Sequence, residues 1–362
     1  MILSRRVFLA GAGTLLLPYG ASISAAQIPA GPLFAAAWLD GDKAGFAILD
    51  RDGAILRSIP LPGRGHDVVA DGRGDWLVAF ARRPGTFAVA ISRSGQHDPV
   101  AFATPPDRHF YGHGCFSRNG RLLYATENDF ANARGLIGIY DVTAGFRRIG
   151  EFSSFGLDPH ELMLMADGRT LCIANGGIET HPDFGRAKLN LDSMEPSIVF
   201  IDVATGDLVE KHVLPAALRR LSTRHMDVDG HGRVWIGCQY EGPKADTPPL
   251  LLRVAKGEEI DFVDLPDAVL PRLANYVGSV ACNKDTSQLV ITSPHGNCAI
   301  ILDAQDGRVV RLIEETDVCG AAPDRTAFIL SSAEGRFGEV SEPVGWDNHI
   351  ARLTDSRISP NL

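Results

Sequence analysis

Several features that would narrow function at once are missing from this chain of 362 residues. Its six cysteines include no C-x-x-C pair, which removes zinc ribbons and thioredoxin-type redox motifs. Aromatic residues make up only 7% and the basic residues form no cluster, so nucleic acid is not the expected partner. No apolar run is long enough for a membrane span. What remains is an ordinary globular composition, 45% hydrophobic and 22% charged, with a formal net charge of −9.

The first residues read as an address. Ser4-Arg5-Arg6-Val7-Phe8-Leu9 precedes a short, weakly hydrophobic stretch to Leu17, and Ser24-Ala25-Ala26 offers a cleavage site before Gln27. Paired arginines in this setting indicate a twin-arginine signal over residues 1–26 and a periplasmic destination, an ordinary secretory signal being the alternative. Residues 27–362 then form one domain.

That domain repeats about every 45 to 50 residues. The first half of each module is a β-run, a turn containing Asp-Gly or an equivalent, and a second β-run. It begins at His66, His113, His160 and His225, and returns without the histidine at Gly278 and Gly320. The second half is a hairpin with a tight polar turn, as in Ala47–Gly53, Ile139–Gly145, Phe200–Gly206 and Ile301–Gly307. His349–Leu353 reads as the start of a seventh second half. Four short strands per repeat at this period predict an all-β, seven-bladed β-propeller with four-stranded blades, the termini closing one blade. The cysteines fall in or beside strands and read as small buried residues.

In such a blade the loop into the innermost strand and the loop between the second and third strands share one face of the disc. Long connections are expected there at Glu127–Gly135, Gly176–Pro196, Tyr240–Pro249 and Ala333–Asp347, and long loops on a rigid scaffold are where binding usually lies. His66, His113, His160 and His225 each begin an innermost strand at one repeat position. They are expected to form a ring at the channel mouth that could bind Fe, Cu or Zn. The competing reading is that each merely hydrogen-bonds a neighbouring blade. Strand alternation should turn Asp67 and Glu161 away from whatever their preceding histidines face. Weaker candidates are His181 with Glu179 in the long insertion, His295, and the anion-binding residues Arg82, Arg83 and Arg224.

Gly65-His66-Asp67, Tyr111-Gly112-His113-Gly114, Leu157–Leu162, Arg224-His225, Tyr276–Ser279, Thr292–Gly296 and Asp317–Gly320 together resemble a specific family. It is an exported bacterial domain-of-unknown-function family of YVTN and quinoprotein-like propellers, often encoded near imelysin-type iron-uptake proteins. The resemblance implies a place in periplasmic iron handling, with iron-uptake proteins as partners, and gives no activity. Four classes of function stay open: a metal-binding propeller holding an ion or small ligand in its channel, a metal-dependent lactonase or hydrolase, a quinoprotein dehydrogenase, for which the sequence offers no cofactor-binding constellation, and a protein-interaction platform. Lactonase sites favour carboxylates and Asn for Ca or Mg, which an imidazole ring does not match.

Overall fold

The computed structural model describes residues 32–72 and 75–353. The leader read over residues 1–26 lies outside them. Seven four-stranded antiparallel sheets account for the strands, and the first strands of the sheets touch one another in a closed ring. This is the seven-bladed propeller expected from the repeat. Blade 1 takes Leu33–Asp40, Lys43–Asp50 and Ile55–Leu61 from the start of the described chain. Its innermost strand is Gly345–Leu353 from the other end. Blades 2 to 7 follow as residues 65–103, 108–153, 159–213, 221–262, 279–314 and 318–341.

Side-chain alternation explains how blades stack. In the second strand of blade 2, Leu77 and Ala79 pack towards blade 1 against Phe46 and Ile48. Val78 and Phe80 pack towards blade 3 against Phe110 and Leu123. Both faces are covered, so the strand reads Trp76-Leu-Val-Ala-Phe-Ala81 with scarcely a polar residue. A fully buried side chain of this size contributes about 1.5–3 kcal/mol. The core is therefore a set of inter-blade layers rather than one centre.

The recurring polar turns set the hairpins. In the turn after Ser197–Asp202 the Asp202 carboxylate accepts the N–H of Ala204, and Gly206 sits at φ +77°, where a side chain would be strained. All six cysteines are free thiols, five of them buried, in line with the small-residue reading.

Three sequence expectations need correction. His349–Leu353 does not begin an outer hairpin: it ends the innermost strand of blade 1, pairing Ile350 with Ala36 and Leu353 with Leu33. The seventh outer hairpin is instead the short pair Arg336–Phe337 and Val340–Ser341, inside the stretch read as the long loop Ala333–Asp347. Likewise Glu127–Gly135 is mostly strand, because the two strands run to Asp129 and from Arg134. The long connections on the face in question are those before Ser197 and before Leu251.

Candidate metal centre

Each innermost strand that carries a histidine breaks its ladder at that residue. The pairing slips between Gly65 and Val68, Phe110 and Gly114, Pro159 and Glu161, and Thr223 and Met226. In blade 1 the slip falls opposite Ala36 and Trp38, which brackets residues 347–349. A bulge re-aims a side chain out of the regular alternation. Blade 6, where Ser279–Asn283 pairs without interruption, has no histidine there.

The bulges bring together all four histidines named from the sequence, and a fifth. Ring centroids lie 4.8 Å apart for His66 and His113, 5.3 Å for His113 and His160, and 4.7 Å for His160 and His225. His349 stands 4.6 Å from His225, 4.7 Å from His113 and 4.8 Å from His66. His349 carries no signal in the sequence, where its strand reads as part of an outer hairpin. Two triads have ligand atoms all within 4.8 Å of one another: His66, His113 and His160, and His113, His225 and His349. His113 belongs to both.

The Nδ1 atoms are engaged from the blade before. His66 Nδ1 donates to Asp347 Oδ1 at 2.8 Å, His113 Nδ1 to Asp67 Oδ2 at 3.2 Å and His225 Nδ1 to Glu161 Oε2 at 3.3 Å. A neutral imidazole that donates at Nδ1 keeps its lone pair on Nε2. The Nε2 atoms of His113, His160 and His349 are buried without a hydrogen-bond partner. His160 differs, because Arg224 Nη1 lies 3.2 Å from its Nδ1. Arginine can only donate, so Nδ1 accepts and the neutral ring carries its hydrogen on Nε2. Asp67 and Glu161, expected to turn away from their own histidines, thus serve the histidine of the next blade.

Burial governs the charge states. It pushes His66 down to about 4 against the opposing pull of Asp347, and holds His160, His225 and His349 well below the usual imidazole range. For His113 burial acts downwards too, but the Asp67 hydrogen bond and the carboxylates of Glu161, Asp67 and Asp347 outweigh it and raise the value. Burial lifts Glu161 to about 8. Its Oε2 still accepts the N–H of Met226, so the acid proton falls to Oε1. Asp347 is buried, yet the His66 hydrogen bond, Arg82 and Arg64 hold it below the ordinary carboxylate range. His66, His160, His225 and His349 are therefore uncharged at neutral pH, and imidazole donors suit Zn, Cu, Fe or Ni better than Ca or Mg. No carboxylate belongs to either triad.

Glycine is required beside the ring. Gly112 has φ +109°, and a Cβ there would stand 2.6 Å from His66 Cδ2. Above the imidazoles lies a cavity of about 580 Å³ that His66, His160 and His225 line from below. The long insertion contributes to its wall through Thr180, His181 and Lys188, and His295 joins from another loop. His181 and His295 belong to neither triad. The first caps a short 3₁₀ turn through Nδ1, and the second packs on Tyr276 with centroids 4.6 Å apart.

Among the described residues no helix is long and apolar enough to cross a membrane. A family model described as "Protein of unknown function (DUF1513)" matches residues 59–353. No curated protein matches the sequence. Solved structures that it resembles include Kuenenia stuttgartiensis hydrazine synthase, with TM-score 0.59, 14% identity, and 81% of this chain and 90% of that chain covered. Another is the Cps50 (Swd1) β-propeller domain of Myceliophteria thermophila, with TM-score 0.55, 12% identity, and 81% and 89% covered. At these identities the likeness concerns the fold alone.

Proposed function

The chain belongs to the DUF1513 family, for which no function is described, and we propose that it binds a transition-metal ion at the channel histidines. The observation that carries this reading is the division of labour within each ring. Nδ1 of His66 and His113 is held by a carboxylate of the neighbouring blade and Nδ1 of His225 by the Glu161 carboxyl, so that each ring, when neutral, turns its Nε2 lone pair to the other imidazoles. Carboxylate–histidine pairs of this kind orient metal ligands and raise their basicity. Hydrogen-bonding histidines that merely join blades would not leave buried Nε2 atoms unpartnered.

His113, His225 and His349 are the stronger ligand set, with His66 beside them, since Arg224 commits the Nε2 lone pair of His160 to a hydrogen. The ion is Fe, Cu or Zn by donor type. The setting is periplasmic, with a role beside iron-uptake proteins, and the sequence resemblance supports that part. Imidazole donors without a carboxylate ligand argue against a Ca- or Mg-dependent lactonase.

The test is metal content and titration. Purified protein stripped by chelator should take up about one equivalent of Zn(II), Fe(II) or Cu(II) and unfold at higher temperature, since a ligand at 100 times its Kd adds about 2.7 kcal/mol. His113→Ala, which removes a member of both triads, should abolish uptake while the circular dichroism of the propeller is kept. No uptake of any of the three metals would overturn the reading.

A further inference from the structure

The cavity over the histidines has a charge pattern that a bare cation site does not account for. Arg82, Arg83, Arg186, Lys188 and Arg224 all line it, and no Asp or Glu does. Three carboxylates stand behind these groups. Asp347 is shared by Arg82 at 2.6 Å and Arg64 at 2.7 Å, Glu241 by Lys188 and by Arg224 at 3.6 Å, and Asp158 lies 3.8 Å from Arg83. Five cations thus line the cavity with three carboxylates behind them, one of these also held by Arg64 outside the lining, while the chain as a whole is acidic, with net charge −9. Arg186, exposed on the insertion, makes no ion pair among the described residues.

Buried guanidinium atoms are also left without partners. Arg224 is 6% exposed, and its Nε has no hydrogen-bond acceptor. Arg83 Nη1 is likewise unpartnered, because 3.8 Å to Asp158 is too long for a hydrogen bond. Both Asp158 oxygens and Glu241 Oε1 lack donors as well, so Arg83 and Arg224 stand in long ion pairs and keep hydrogen-bonding capacity that an added oxyanion could use. Tyr276 and Asn348 add neutral hydrogen-bonding groups to the lining. The volume, about 580 Å³, is that of an organic ligand site rather than of a single small ion.

We infer that this cavity binds a small polyanion carrying two or more carboxylate or phosphate groups, with Arg83 and the buried Arg224 as inner contacts and Arg186 and Lys188 as the outer ones. Guanidinium forks suit both kinds of oxyanion, and a cationic cleft in an acidic protein concentrates anions locally. The inference does not rest on the metal reading, because the arginines and their missing partners are there without any ion. Should both hold, the polyanion offsets the charge that uncharged imidazoles leave on the metal.

Metal-stripped protein is titrated calorimetrically with citrate and with pyrophosphate at low ionic strength. Saturable binding of at least one is expected, and which one binds identifies the oxyanion. Arg83→Gln combined with Arg186→Gln should weaken that binding about tenfold or more, whereas Arg147→Gln on the outer strand of blade 3 should leave it unchanged. The unaltered protein supplies a second readout that needs no variant: affinity should fall steeply between roughly 20 and 500 mM salt. Failure of both anions to bind at millimolar concentration, equal affinity in the double variant, or indifference to salt would each overturn the assignment. Failure of metal uptake alone would not touch it.

Discussion

Glu161 follows His160 in the chain, yet its carboxyl reaches the backbone N–H of Met226 at 3.0 Å and thereby sits against the ring of His225, one blade further on. The same step recurs from Asp67 to His113 and from Asp347 to His66. Ring and carboxyl of one strand therefore belong to different pairs, and the histidine centre is fastened by contacts that run around the disc.

This arrangement makes Asp67 a positioning residue for His113. Asp67→Ala should lower metal affinity by about 10–100-fold in a chelator competition, and Asp67→Asn, which can still accept from Nδ1, should restore part of it. Equal affinity in all three proteins would show that Asp67 does not act on the centre.

The two histidines with contrasting Nδ1 environments give a sharper comparison. His349→Ala should weaken metal binding by about tenfold or more, because its Nε2 is unpartnered and belongs to the triad free of Arg224. His160→Ala should change it by no more than about threefold, since its Nδ1 accepts from Arg224 and its Nε2 carries the hydrogen. The reverse order would mean that Arg224 gives way and the other triad holds the ion.

His109 sets a pH dependence apart from the five channel histidines. It is 1% exposed, its Nδ1 donates to the Phe110 carbonyl, and burial depresses it to about 4. In the unfolded chain it titrates near 6.5, so between about 6.5 and 4 the unfolded state binds the extra proton. The neutral ring's contribution is complete above pH 6.5 and is lost as pH falls to 4, a change of about 3 kcal/mol. Unfolding temperatures measured from pH 7 to pH 4 should fall less steeply for His109→Gln than for the unaltered protein. Parallel curves would contradict this account.

Gly112 offers a steric test. Gly112→Ala puts a Cβ 2.6 Å from His66 Cδ2 on a backbone at φ +109°, a strain of about 1–3 kcal/mol. The unfolding temperature should drop by roughly 2–6 °C. An unchanged transition would show that the ring yields without cost.

Much of this was legible in the residues. The Asp-Gly turns announce the hairpins because only certain side chains tolerate those backbone angles, and Asp202 with Gly206 is a direct instance. The doubly apolar strands, such as Trp76–Ala81, follow from blades that pack on both faces. Four of the five histidines share a repeat position that the spacing exposes. His349 escaped because its strand reads as an outer one, although His349 directly precedes the first paired residue after its bulge, Ile350, as His113 precedes Gly114 and His225 precedes Met226. The reach of Asp67 and Glu161 was hidden for another reason. Alternation says which side of a strand a residue takes, but a bulge and the neighbouring blade decide what it meets there.

Blade 1 draws on both ends of the described chain, and that fixes when the centre can exist during synthesis. His349 and Asp347 lie on the last of the described strands, made long after Leu33–Asp40. Until it docks beside Leu33–Asp40, one ring is missing, His66 has no carboxylate, and Arg82 has lost its counter-ion. A chain cut short before Gly345 would lose ring closure and the fifth histidine together, so the histidine cluster exists only once the two distant segments of blade 1 have met.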